Sequence, residues 1–254
     1  MLDSGRDQAA GLRRLMRGTT MSVVSFPGNP KDKDTHGWVA DIARSLRAMG
    51  RRPIVVDGGS GDVSRALGVT TRRDLIELLR GDETFDDVAQ VSDDGVYVIR
   101  AGQGIDAFVA SGAPGRDLLD GFARLSHAFD VLLLVMPTSE LACLAGPRDT
   151  VPVIGFSAGG SDIANAYLIV KNLCLSFGYS RFSLVVHDAP SHQQAVLEHS
   201  RFAMAARAFL NVEISLVGWT PLRSANAADH LCDMALRRVA DALLRSCVAA
   251  SSLH

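Results

Sequence analysis

Lysine is nearly missing from this chain: of 26 basic residues among 254, only Lys31, Lys33 and Lys171 are lysines, and 28 acidic residues bring the net charge to −2. No global potential therefore draws the chain to nucleic acid or to an anionic membrane, and any anion site must be local. Cysteine is also sparse. Cys143, Cys174, Cys232 and Cys247 lie far apart, without a CxxC pair and without histidines at finger spacing, which excludes a disulfide scaffold and a structural zinc site. They read as reduced, mostly buried thiols of a cytosolic protein. Long apolar runs are missing too: the longest, Val131 to Met136, is far short of a bilayer span, and the N-terminus carries no continuous apolar stretch of signal-peptide type. The sequence thus reads as neither secreted nor membrane-spanning.

What is present is an apolar content of 47%, enough for a sizeable core, arranged as short apolar runs alternating with helical periods. Strands are expected at Ser22–Phe26, Pro53–Asp57, Gly95–Arg100, Val131–Met136, Val151–Phe156, Phe182–His187 and Val212–Val217. Several are unbroken Val/Ile/Leu runs, as for strands covered on both faces. Helices are expected at Gly37–Met49, Asp74–Arg80, Arg116–Ala128, Asp162–Phe177, Ser191–Phe209 and Ala225–Val248, with Gly50, Gly81 and Gly178 placed to end three of them. This pattern implies a three-layer, doubly wound α/β fold with a mostly parallel sheet of about seven strands. Residues 1–20 stand apart: a short basic helix from Asp7 to Arg17, with Ala9, Leu12, Leu15 and Met16 on one stripe, is followed by Gly18-Thr19-Thr20. So short a helix needs a docking surface on its own domain or a partner. The division is therefore 1–20 as helix and linker and 21–254 as the α/β domain.

The stretch after the first strand, Pro27-Gly28-Asn29-Pro30-Lys31-Asp32-Lys33-Asp34-Thr35, sits where a phosphate-binding loop would lie. Such a loop needs successive backbone N–H groups aimed at phosphate, a lysine and a hydroxyl for Mg²⁺. Pro27 and Pro30 have no N–H, and Asp32 and Asp34 offset Lys31 and Lys33. The second strand ends in Asp57-Gly58-Gly59 with a single carboxylate, and Val131–Met136 ends without the acid that would hold a metal's water shell. The residues left for a residual nucleotide site are Gly28, Asn29, Lys31, Lys33, Thr35 and Asp57. No catalytic residue and no metal ligand set emerges. The histidines at 36, 127, 187, 192, 199, 230 and 254 are scattered and read as surface or structural groups. Gly155-Phe156-Ser157-Ala158-Gly159 has the spacing of a nucleophile elbow, with Asp188, or Asp229 and His230, downstream, but no oxyanion loop accompanies it.

Asp7-Gln8-Ala9-Ala10-Gly11-Leu12-Arg13 matches a DQAxxLR signature at every fixed position. Ser161-Asp162-Ile163 with Asn165-Ala166-Tyr167 and Lys171 is similar to a "tSitDAYalIK" helix start, and Leu184-Val185-Val186-His187 falls where "lvvN" is usual. On these residues the chain resembles the MinD/ParA type of deviant P-loop ATPases, and within it the flagellar-number regulators FlhG and FleN. In working members the loop reads KGGxGK[ST], the second strand ends in DAD and the Walker B strand ends in Asp. Here Gly59 stands for the second switch acid, Val135 or Met136 for the Walker B acid, and His187 for the adenine-reading Asn.

The resemblance implies a pseudo-ATPase that regulates flagellar number or placement. Its N-terminal helix, through Asp7, Gln8, Ala9, Leu12 and Arg13, would stimulate the signal-recognition-type GTPase FlhF. Further partners implied are flagellar C-ring components, a flagellar transcriptional regulator and a second copy of the chain, with no nucleic acid. No cofactor is expected; ATP or ADP with Mg²⁺ belongs to the alternative reading, a dimerising ATPase switch with an atypical loop. The protein is expected in the cytoplasm, at most peripheral to the membrane at the cell pole. Leu236, Val239, Leu243 and Cys247 line one face of the last helix, and with no Trp or Phe beside them this face reads as docked on the domain.

Overall fold

A computed structural model describes residues 21–28, 36–70, 72–124, 128–221 and 229–251. The expected N-terminal helix and its linker lie outside the described residues. From the first strand the order is β1 (Ser22–Gly28), α1 (Gly37–Ala48), β2 (Pro53–Asp57), α2 (Asp62–Ala66), α3 (Leu75–Arg80), α4 (Phe85–Val88), β3 (Gln90–Val91) and β4 (Tyr97–Arg100). There follow α5 (Gly102–Ala110), α6 (Gly115–Ala123), β5 (Val131–Pro137), α7 (Thr138–Leu144), β6 (Val153–Ser157) and α8 (Ile163–Phe177). The chain closes with β7 (Arg181–Ala189), α9 (His192–Leu210), β8 (Glu213–Pro221) and α10 (Asp229–Ser251).

All seven expected strands are present. The structure adds β3, a two-residue strand antiparallel to β4, and four short helices, α2, α4, α5 and α7. These are too short to show a clear hydrophobic period. The strands form two hydrogen-bonded sheets, β1-β5-β2-β4-β3 and β6-β7-β8, parallel throughout apart from β3. β1 and β6 lie side by side, with no ladder between them among the described residues. Side chains join them instead. On one face the buried hydroxyls of Ser25 and Thr150 are 2.9 Å apart, and on the other the Trp38 indole of α1 rests on Gly155 of β6.

Helices cover both faces. α1, α2 and α10 pack on one side around Phe26, Ile42, Leu46 and Val185, where the sheet contributes Val24, Val55, Val131 and Leu133. On the other side α3, α5, α6 and α7 cover β2, β4 and β5 around Ile54, Ile99 and Leu132, while α8 and α9 cover β6 and β7 around Phe156, Leu173 and Phe202. Gly50, Gly81 and Gly178 take left-handed φ of 80°, 78° and 77°, as their places after helices require. Asp74 caps α3 by accepting from the Ile76 N–H at 3.2 Å, and the same carboxylate accepts from the Gly104 N–H at 2.7 Å, tying α3 to the start of α5. In α10, Leu236, Val239 and Leu243 are buried against α1 and the sheet, so this part of the helix is docked as its pattern indicated. The expectation of mostly buried thiols is corrected: Cys232 is buried, but Cys174 of α8 is half-buried and Cys143 of α7 is exposed.

Candidate functional site

In a doubly wound sheet, ligands lie outside the carboxyl ends of the strands where the strand order reverses, here around β1. Gly28 ends β1 beside Pro137 of β5, and Asp57 ends β2 beside Val135. Asn29, Lys31, Lys33 and Thr35 lie outside the described residues. At the far end of this loop His36 precedes α1, and its ring is packed on Gly28: a Cβ placed on Gly28 would sit 2.6 Å from His36 Cε1. Only glycine permits this approach. His36 Nε2 lies 3.2 Å from the Pro27 carbonyl oxygen. Burial pushes the imidazole below its usual pKa, against the opposing pull of the Pro27 carbonyl and of Asp62 and Asp57.

Asp57 is 1% exposed and committed to its own chain. One of its oxygens accepts from the Ser64 N–H at 2.9 Å and the Ser64 hydroxyl at 2.7 Å, which anchors α2 over the end of β2. Asp62, at the first turn of α2, is also buried; one oxygen faces Arg65 at 3.5 Å. Gly59 supplies no second carboxylate, and the Gly58 N–H donates to the Val135 carbonyl at 2.7 Å. Val135 and Met136, where a metal-holding acid would end β5, are buried apolar side chains. The described residues at this edge therefore do not fit a phosphate cradle with a magnesium ion. A ring fills the space over the loop glycine, a proline precedes it, and the strand-end carboxylate gives one of its two oxygens to a helix cap.

Next to this edge the fold assembles a cluster whose members are scattered in the sequence. Trp38 stacks on His187 of β7, with centroids 5.8 Å apart and planes 21° from parallel, and meets Phe26 edge-on at 5.5 Å. His187 Nδ1 is 3.0 Å from Asp188, and its Nε2 faces Asp162 at 3.8 Å. Asp188 has φ 53°, a left-handed conformation rare for a side-chain-bearing residue, within the register shift between Val186 and Ala189 of the β7–β8 ladder. That bend turns its carboxylate back onto the imidazole. Asp162 also accepts from the Ser157 N–H at 2.8 Å. Pro27, His36, Trp38, Gly155 and Asp162 enclose a cavity of about 20 Å³, room for about one water molecule. Trp38 carries no site signal in the sequence, and Asp162 and Asp188 stand there only within a helix start and an elbow pattern. The replacement at His187 is the one visible pointer.

The elbow-like Gly155–Gly159 segment does close β6, with Ser157 in register with His187. Yet the Ser157 N–H is bonded to Asp162 and the Ala158 N–H donates to the His187 carbonyl at 2.9 Å, so neither is open to an oxyanion. The imidazole is bonded to Asp188 on one side and faces Asp162 on the other. Of the remaining sequence-derived residues, Lys171 lies exposed on α8, away from the strand ends, and Asp7, Gln8, Ala9, Leu12 and Arg13 fall outside the described residues. Among the described residues no group of histidine, cysteine and acidic side chains is placed to hold a metal ion.

The architecture is similar to that of solved proteins over most of its length. A chain of the MinC:MinD cell division protein complex of Aquifex aeolicus superposes with a TM-score of 0.61 at 15% identity, covering 88% of this chain and 96% of that one. The cell division ATPase MinD of Pyrococcus furiosus superposes with a TM-score of 0.56 at 16% identity, covering 88% and 98%. The fold is that of MinD. No protein-family profile matches the chain. By sequence, this MinD-like chain is similar to the antiactivator FleN of Pseudomonas aeruginosa, with 25% identity over 208 residues, or 79% of this chain and 74% of FleN. Sequence and fold together bear out the resemblance to FlhG and FleN among MinD/ParA-type proteins.

Proposed function

We propose that this MinD-like chain is a flagellar regulator that acts by binding rather than by hydrolysing ATP. Its N-terminal residues Asp7, Gln8, Ala9, Leu12 and Arg13 engage an FlhF-type GTPase and raise its GTP turnover. The observation that carries the non-hydrolytic reading is the His36 ring seated on Gly28, together with the commitment of Asp57 to Ser64. Nucleotide phosphates would have to displace the ring, and they would meet a single strand-end carboxylate, one oxygen of which already holds Ser64. The similarity to FleN, an antiactivator, supports a role in restraining a partner, and MinD itself is found in complex with MinC. A helix supplied in trans can complete a GTPase site by orienting water or stabilising charge, and Gln8 has the chemistry for the first of these.

Two measurements test this reading. Calorimetric titration of the full chain with ATP or ADP and Mg²⁺ is expected to show no binding at millimolar nucleotide, an affinity weaker than about −4 kcal/mol. Micromolar binding would instead establish the ATP-dependent switch, with Lys31 or Lys33 on the phosphates. GTP turnover by an FlhF-type GTPase is expected to rise on addition of the chain and to lose that rise with Gln8→Ala. Unchanged stimulation by Gln8→Ala and by a chain lacking residues 1–20 would overturn the assignment of the N-terminal segment.

A further inference from the structure

Two neighbouring helices on the face opposite α1 and α10 carry an unusual share of exposed apolar surface. On α8, Ala166, Ile169, Val170 and Leu173 are buried on the sheet, so Leu168 and Leu175 point outward and are 57% and 68% exposed. On α9, Ala195, Phe202 and Ala206 are buried, and Leu197 and Met204 point outward at 43% and 69% exposure. The helices are in contact: the Tyr167 ring meets Phe202 edge-on at 6.4 Å, and the Cys174 thiol lies 3.6 Å from the Leu210 carbonyl. Because both follow parallel strands, they run in the same direction. Each thus presents two apolar side chains seven residues apart, about 10.5 Å along its axis, in two rows side by side.

The charge on this surface has one sign. Lys171 of α8 and Arg201 of α9 are exposed, each midway along its row. α8 contains no acidic residue, and the one in α9, Glu198, is buried and accepts from the Gln194 amide at 2.8 Å. We propose that the outer faces of α8 and α9 form a docking surface for an acidic amphipathic helix of a partner protein. Apolar residues at seven-residue spacing on such a helix seat against both rows, while flanking Glu or Asp side chains meet Lys171 and Arg201. The charges argue against the chain's own segments as occupants. A second copy docking through the same face brings like cations together, and the N-terminal segment carries Arg6, Arg13, Arg14 and Arg17 against only Asp3 and Asp7.

The test uses the full chain and a fluorescein-labelled helical peptide of about three heptads, with leucines at the seam positions and glutamates beside them. Fluorescence anisotropy is expected to show saturable binding that weakens about tenfold in Lys171→Glu/Arg201→Glu and in Leu175→Ser/Met204→Ser. The charge-reversed variant is expected to prefer the same peptide with lysines in place of glutamates. This rescue separates lost contact from lost folding. Absence of binding, equal binding of the acidic and basic peptides, or indifference to both variants overturns the proposal. Preferential binding to phosphatidylglycerol vesicles assigns the surface to a membrane instead, and self-association abolished by the same variants assigns it to a second copy.

Discussion

Replacing Gly155 by alanine tests how the two sheets are joined beside the candidate site. In an ordinary strand the change is favourable by about 0.5–1 kcal/mol, because alanine has less backbone freedom to lose. Here the added Cβ would lie 2.3 Å from Trp38 Cζ2 and 2.5 Å from Cε2, so the indole has to retreat by more than about 1 Å to reach normal carbon–carbon contact. It has little room, being edge-on to Phe26 at 5.5 Å and stacked on His187 at 5.8 Å. Overpacking of this kind costs about 1–3 kcal/mol, and we expect that net loss with the sign of an ordinary Gly→Ala change reversed. At about 2–4 °C per kcal/mol for a domain of this size, Tm falls by several degrees. Urea unfolding followed by far-UV circular dichroism measures the loss independently of the indole. In a double-mutant cycle Trp38→Leu removes the clash, so Gly155→Ala should be nearly neutral in that background, a coupling of about 1 kcal/mol or more. Wild-type stability in Gly155→Ala, or strict additivity with Trp38→Leu, would refute the close approach of α1 to β6.

Asp57→Ala leaves the buried Ser64 N–H and hydroxyl without an acceptor and is expected to cost about 2–4 kcal/mol, with Asp57→Asn milder; chemical denaturation measures both. His36 is held below its ordinary value of 6.5, so as pH falls past that value the unfolded chain takes up a proton before the folded one. Stability is therefore complete above it and declines below it, by at most about 1.4 kcal/mol per pH unit from this group, and subtracting the His36→Gln profile isolates the contribution. Tyr179, 1% exposed and donating its hydroxyl to the Ala145 carbonyl, is pushed up to about 12 by burial, with Asp149 adding to the shift. The unfolded tyrosine ionises first as pH rises past 10.0, so this group's stabilisation fades between 10.0 and about 12; absorbance titration of wild type against Tyr179→Phe checks the late ionisation.

Much of this protein is legible from local pattern. Val131–Met136 and Pro53–Asp57 are nearly unbroken apolar runs because helices cover both faces, and the structure keeps those strands almost to the residue. The ends of α1, α3 and α8 follow from glycines that alone take left-handed φ at no steric cost. Departures of the β1–α1 loop from a phosphate cradle are also visible, since proline cannot donate and glycine cannot coordinate. α2, α4 and α7 escape because four to seven residues do not complete a hydrophobic period.

Covalent order settles the composition of the β1–α1 edge: that Pro27, Gly28 and Asp57 exist, where each stands relative to a strand end, and that glycines occupy the two positions after Asp57. What those groups do depends on packing. His36 comes to rest on Gly28 because α1 starts directly over β1, and Asp57 becomes a cap because α2 folds back on it. Trp38, His187, Asp162 and Asp188 become one cluster because β6 and β7 end beside α1. The contact of Trp38 with His187 joins residues far apart in the chain. Its geometry depends on sheet register and helix packing, which no local spacing encodes.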